Sequence, residues 1–302
     1  MRSTQTMRVF QASFFLILWS ATAGEETILR REKRIYNGNQ VDITSFPYYA
    51  AIEFLPEGAP VSSSIGGGSI ISTQFVLTAA HVVTERTPNQ PTTESTIFDE
   101  SFIEIGHNPY DNSIVYRSWY VIRTGSSLKR MGGSLHYVDL IKIHPNFTTD
   151  GVGNVIGDIA LVRVMNPFTF DKFRQPIPLL NKSIKNMPGT KAIVVGLGRS
   201  EHGYKTELRS MTVQIVDWAQ CEKEYADLRP LEKSIFCAGD GIRAICYGDS
   251  GSPLVVMNRL AGIASFIKGE ECGILGVPDF YTDVFSYRSW IESYVPLSEL
   301  QN

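Results

Sequence analysis

The chain has 302 residues, 43% of them hydrophobic and 20% charged. That composition excludes disorder as the main state and suits one large all-β domain or two smaller ones. Net charge is −3; residues 1–34 hold six basic and three acidic side chains, leaving 22 and 28, a net −6, in the remainder. An acidic surplus disfavours nucleic acid or an anionic membrane as partner.

Arg2 and Arg8 precede an apolar run from Ala12 to Trp19, and Ala21-Thr22-Ala23 supplies a small-residue cleavage site. Residues 1–23 therefore read as a secretory signal peptide, too short for a membrane span, and predict an extracellular protein. Arg30-Arg31-Glu32-Lys33-Arg34 then ends abruptly at apolar Ile35-Tyr36. This is either a solvated linker or a processing site that closes a propeptide over 24–34.

From Ile35 onward, short apolar runs alternate with Gly, Pro, Asn and Ser, which predicts many strands and no regular helices in an all-β sandwich or barrel. Strands are expected at Tyr49–Phe54, Ser69–Ile71, Phe75–Thr78, Val138–Ile143, Ile159–Val164, Lys191–Val195 and Leu254–Met257. Asn258-Arg259 is expected to turn the last of these back into Leu260–Phe266. Glu85 to Trp119 is polar, weakly periodic and long enough to be an insertion with a role of its own or an inert surface excursion. Tyr287, Trp290, Ile291 and Tyr294 recur at helical spacing behind Ser286 as N-cap, and predict an amphipathic C-terminal helix with a packing face. Asn146-Phe147-Thr148 and Asn181-Lys182-Ser183 are glycosylation acceptors. The four cysteines allow three pairings, all within 221–272.

Of five histidines, His107, His136, His144 and His202 lie among polar or turn residues and read as surface or hydrogen-bonded side chains. His81 instead ends Phe75-Val76-Leu77-Thr78-Ala79-Ala80, where small residues leave room around the ring. Asp158 heads the apolar run Ile159-Ala160-Leu161-Val162, and an acid there must be paired or hydrogen-bonded. In Ile245-Cys246-Tyr247-Gly248-Asp249-Ser250-Gly251-Ser252-Pro253-Leu254, a serine sits on a cysteine-anchored loop. Gly248 and Gly251 permit the turn beside it, although Gly-Asp-Ser-Gly alone also suits a surface turn. A serine nucleophile needs a base titrating near neutrality, and that base needs an orienting carboxylate. Ser250, His81 and Asp158 supply one of each.

Leu77-Thr78-Ala79-Ala80-His81, Asp158-Ile159-Ala160-Leu161 and Gly248-Asp249-Ser250-Gly251-Ser252-Pro253 resemble the three signature blocks of the chymotrypsin/trypsin family, in that family's order. Gly66-Gly67-Gly68-Ser69 and Trp290-Ile291 extend the likeness from Ile35 to about Val295. The resemblance implies two antiparallel β-barrels with the active site between them. A peptidase domain would span 35–302, with a first barrel over about 35–165, a second over about 175–285 and a C-terminal helix over about 286–295. It implies a secreted serine endopeptidase in which Ser250 attacks the scissile carbonyl and His81 takes its proton. Asp158 would orient the imidazole, and the N–H groups of Gly248 and Ser250 would form the oxyanion hole. Cleavage after Arg34 would free the Ile35 amine to pair with Asp249 and order that hole. No cofactor or metal is implied. The implied partners are a protein or peptide substrate, a trypsin-like activating protease and protein inhibitors, around a monomer. A catalytically silent homologue acting as a binding or regulatory module is the alternative.

The resemblance has gaps. Two of the family's disulfides are replaced by Gly66 with Val82 and by Ala192 with Val256, which leaves Cys221–Cys237 and Cys246–Cys272 by family match and one staple fewer beside His81. In the primary pocket, Ala244 stands where trypsin-like relatives carry aspartate, followed by Ile245. Ser265-Phe266-Ile267 replaces the usual Ser-Trp-Gly wall, and Asp279 replaces a common glycine. Preference therefore stays open between medium apolar side chains, mixed or basic ones, and an obstructed pocket.

Overall fold

The computed structural model describes residues 35, 38–55, 59–84, 104–107, 114–116, 119–149, 155–200, 203–204, 206–225 and 231–300. The chain divides into units 1–31 and 32–302, and every described residue belongs to the second. The signal peptide, the propeptide with Arg34, His202 and most of Glu85–Trp119 lie outside the described residues. Within that stretch the strands Glu104–His107 and Ile114–Tyr116 pair antiparallel.

Alternation of apolar and small residues builds two antiparallel systems. Ala160–Val164, Phe75–Thr78, Ser63–Ile70, Tyr49–Phe54, Tyr120–Thr124 and Ser134–Ile143 pair in that order and close into a barrel. Ile52, Ile70, Leu77, Ile122 and Val162 fill its interior, fully buried. A second sheet runs Asn39–Gln40, Arg209–Gln214, Lys191–Gly196, Pro253–Val256, Arg259–Phe266, Asp279–Asp283, Ile235–Ala238. Val216 N donates to Cys237 O and Gly239 N to Gln214 O, each at 2.9 Å, so this sheet also curls round on itself. Closure of this kind removes exposed edges. The fold is the two-barrel, all-β architecture of chymotrypsin-like proteins. Ile35 is buried in the second core with Phe236, Val213 and Ile245.

Several elements differ from expectation. Asn39–Gln40 pairs with Arg209–Gln214, so the first residues after Ile35 join the second barrel and not the first. The hairpin between Pro253–Val256 and Arg259–Phe266 turns on Met257 and Asn258, with φ of 51° and 58°, one residue earlier than Asn258-Arg259. Two left-handed residues in a row match the right-handed twist of the flanking strands.

Trp218–Tyr225 is a helix where none was expected. Its polar sequence hides the period, since Cys221 and Tyr225 are its buried positions. Asp217 caps it, accepting from Ala219 N at 3.0 Å. The C-terminal helix is shorter than 286–295: a 3₁₀ turn over Val284–Tyr287 runs into the α-helix Arg288–Glu292, with Leu297–Leu300 beyond. Ser286 lies inside the 3₁₀ turn and donates to Asp283 Oδ2 at 2.9 Å, so it is not the N-cap. The packing face is as expected, with Ile291 buried and the rings of Tyr287 and Trp290 against His144. His136 likewise bonds Thr124 Oγ1 at 2.9 Å. No helix among the described residues is long and apolar enough to cross a membrane.

Candidate active site

Strand register brings the histidine and the aspartate together. Ala160 pairs with Thr78, so Asp158, two residues before Ala160, lies beside the short helix Ala80–Thr84 that carries His81. Asp158 Oδ2 lies 2.8 Å from His81 Nδ1, and Oδ1 accepts from the His81 backbone N–H at 3.0 Å. Ser265 Oγ donates to the same carboxylate, and Thr282 Oγ1 holds the Asp158 carbonyl at 2.9 Å. Burial pushes the Asp158 pKa upward, but the His81 charge and these hydrogen bonds outweigh it and keep the carboxyl below its usual range. The group beside the imidazole is thus a carboxylate throughout the neutral range.

Ser250 sits on a loop whose turns are fixed by its own backbone. Asp249 N donates to Cys246 O and Ser252 N to Asp249 O, each at 2.9 Å, while Gly67 N from the first barrel donates to Ser250 O at 2.7 Å. Gly248 and Gly251 take φ of 91° and 80°, left-handed values that glycine alone adopts cheaply. Asp249 is fully buried; its carboxylate accepts from Gly198 N at 2.8 Å and Cys246 N at 3.0 Å. Desolvation nevertheless raises its pKa to about 6 against these bonds and the pull of Lys129 and Arg209.

His81 and Ser250 line one cleft of about 330 Å³, with Ile245, Cys246, Tyr247, Ser265, Phe266 and Ile267 among its other walls. Ile267 is part of that wall, and Phe266 stacks on Phe280 with ring centroids 4.6 Å apart. Ala244 and Asp279 lie behind this lining, both buried. Asp279 Oδ2 accepts from Ile245 N at 2.7 Å. Burial raises its pKa well above the ordinary value; the Ile245 bond opposes this, and Asp249 and Asp240 add to it. The Asp279 carboxyl is thus buried behind the lining and turned onto backbone.

The family profile named Trypsin matches residues 35–104 and 110–291. The chain belongs to the trypsin family. It is a serine-type endopeptidase. Among its relatives, the vitellin-degrading protease of Bombyx mori is 28% identical over 266 residues, covering 87% of this chain and 86% of the relative. Trypsin, alkaline C of Manduca sexta is 27% identical over 286 residues, covering 93% and 98%. The solved structure of neuropsin, a serine protease expressed in the limbic system of mouse brain, superposes with a TM-score of 0.65. It is 25% identical, with 85% of this chain and 97% of that one covered.

Within this trypsin-family frame, two disulfides close as the resemblance implied, Cys221–Cys237 and Cys246–Cys272. Packing replaces the missing pair beside His81: a Cβ on Gly66 would lie 2.8 Å from Val82 Cγ1, and Val82 is buried. Ala192 and Val256 are likewise buried in the second core. Asn146 and Asn181 are exposed, and the hydroxyl of Ser183 donates to Asp283 at 2.7 Å.

Sequence reasoning placed Ser265 only on the pocket wall and missed its bond to Asp158. Thr84, Phe147, Val155, Tyr247 and Gly269 also line the cleft without having been marked. No local pattern announces them, because strand register and loop packing bring them there.

Proposed function

We propose that this endopeptidase cuts peptide bonds through Ser250 as nucleophile, His81 as base and Asp158 as orienting acid, with an acyl-enzyme intermediate. The observation that carries the reading is the 2.8 Å contact between His81 Nδ1 and Asp158, on the rim of the cleft that Ser250 shares. In that geometry the Nδ1 proton is held by the carboxylate, and Nε2 is left to take the serine proton and return it to the leaving amine. The N–H groups of Gly248 and Ser250 receive the developing oxyanion, which the left-handed turn at Gly248 supports.

The protein is secreted through residues 1–23 and held inactive by 24–34 until a trypsin-like enzyme cuts Arg34–Ile35. Ile35 then pairs its new ammonium with Asp249. In the uncut chain Ile35 is buried at φ of 40°, a strained value for a β-branched residue. That torsion ceases to exist once the bond before Ile35 is broken. A silent homologue is disfavoured because the chain keeps His81, Asp158, Gly248 and Ser250, with His81 bonded to Asp158 and lining the same cleft as Ser250. Reaction of the cleaved protein with an organophosphate, read as mass added to Ser250, tests the proposal; an unmodified Ser250 would sink it.

The pocket favours small to medium apolar side chains before the cut. A lysine or arginine entering this apolar pocket, with the Asp279 carboxyl turned onto the Ile245 N–H, is expected to be rejected by about a hundredfold or more in kcat/KM, the cost of an uncompensated buried charge. Profiling on a peptide library varying that residue reads this directly, and Asp279→Asn is expected to leave the apolar preference unchanged at pH 7. Because ionising Asp279 supplies the missing counter-charge, acceptance of basic residues should grow as pH rises in the wild type but not in Asp279→Asn. Ile267→Gly opens the wall and raises kcat/KM for phenylalanine by about tenfold.

A further inference from the structure

The loop between Tyr120–Thr124 and Ser134–Ile143 belongs to the first barrel but docks on the second. Lys129 N donates to Thr206 O at 2.6 Å and Leu208 N to Ser127 O at 2.7 Å, while Arg130 turns the chain at φ of 58°. With its backbone pinned, half-buried Lys129 reaches inward and its Nζ donates to the Leu197 carbonyl at 3.2 Å. The same peptide group presents its other end, Gly198 N–H, to Asp249 Oδ1 at 2.8 Å. One peptide dipole therefore lies between an ammonium and a carboxylate, carbonyl toward the cation and N–H toward the anion. Both hydrogen bonds are charge-assisted. Lys129 Nζ also lies 3.9 Å from where a Cβ on Gly248 would stand, so the cation borders the loop that carries the oxyanion donors. The other charges acting here are Glu53 and Arg130 on Lys129 and Arg209 on Asp249.

We propose that Lys129 is a positioning residue for the oxyanion hole, bracing the Leu197–Gly198 peptide against Asp249 and so fixing the Gly248-Asp249-Ser250 turn from the opposite barrel. The proposal rests on the reading of Ser250 as nucleophile and Gly248 as oxyanion donor. A hole stabilises the transition state only when its donors are already aimed, so loosening the turn costs turnover and not substrate binding. Burial lowers the pKa of Lys129, a cost that the nearby Asp249 offsets in part. The ammonium of Ile35 would exist only after cleavage, whereas this lysine is present in both forms of the chain.

The test uses the cleaved full-length enzyme and a short peptide ester with an apolar residue before the cut. Lys129→Met keeps the aliphatic stem and is expected to lower kcat by about tenfold, equivalent to about 1.4 kcal/mol, with KM within about twofold. Lys129→Arg should recover most of that loss. Unchanged kcat in Lys129→Met, a loss confined to KM, or an equal loss in the Met and Arg variants overturns the brace. If Lys129→Met does not fold by circular dichroism, Lys129→Gln is judged by the same criteria. A cleaved wild type that neither hydrolyses the ester nor takes up an organophosphate at Ser250 removes the proposed triad, and the brace with it; an active wild type confines any failure to Lys129.

Discussion

Replacing Ser250 by alanine in the cleaved enzyme should lower kcat by about six orders of magnitude while leaving KM for a peptide substrate little changed. His81→Ala should cost about as much, and the double variant no more than either alone, because the two act as one unit. Asp158→Asn is expected to cost about four orders, since an amide disturbs the tautomer that the carboxylate enforces. The geometry makes this last loss severe. The carboxylate meets His81 Nδ1, the His81 N–H and Ser265 Oγ, so any replacement faces donors on every side. Kinetics normalised to folded protein measure all three variants. Retention of more than about a thousandth of wild-type kcat in Ser250→Ala would contradict the assignment.

Arg34→Gln should yield a folded protein that stays inactive after exposure to a trypsin-like protease, with kcat at least about a hundredfold below the cleaved wild type. On the proposed activation, the deficit is that of an oxyanion hole whose anchoring acid lacks the Ile35 ammonium. Two pH effects follow. In the cleaved enzyme, an α-amino group titrating near about 7.7–8 when free is raised by pairing with Asp249, so activity falls as pH climbs through that raised value. In the uncut chain the sign concerns Asp249 itself, whose pKa is raised from 3.8 to about 6 by burial. Its contribution to stability is complete below pH 3.8 and is lost as pH rises to about 6. That loss amounts to about 3 kcal/mol. Melting curves of uncut wild type against uncut Asp249→Asn should diverge across this window and run parallel above it. A constant difference from pH 3 to 8 would refute it.

Much of the chemistry was legible because it travels in short local words. His81, Asp158 and Ser250 each sit in a run whose residue types are dictated by immediate neighbours: small residues around a ring, an acid heading an apolar strand, glycines permitting the turn around a serine. Partnerships made by register were not. Ser265 reaches Asp158 across 107 residues of chain, and Lys129 reaches Leu197 across 68. Neither side chain stands out among its sequence neighbours. The helix Trp218–Tyr225 went unread for a related reason: its buried face amounts to Cys221 and Tyr225, too few positions to mark a period. Asp279 was noticed, but only the fold shows it turned onto the Ile245 backbone.

The distribution of the two disulfides divides this enzyme by redox sensitivity. Both lie in the second barrel, Cys221–Cys237 tying the helix to its strand and Cys246–Cys272 anchoring the serine loop. Among the described residues of the first barrel, His81 is held by Val82 packed against Gly66, which no reductant can open. A reducing environment would therefore loosen the loop of Ser250 and the helix beside it first, and reach Asp158 only through its second-barrel partners Ser265 and Thr282. Inactivation by thiols would enter through one barrel alone.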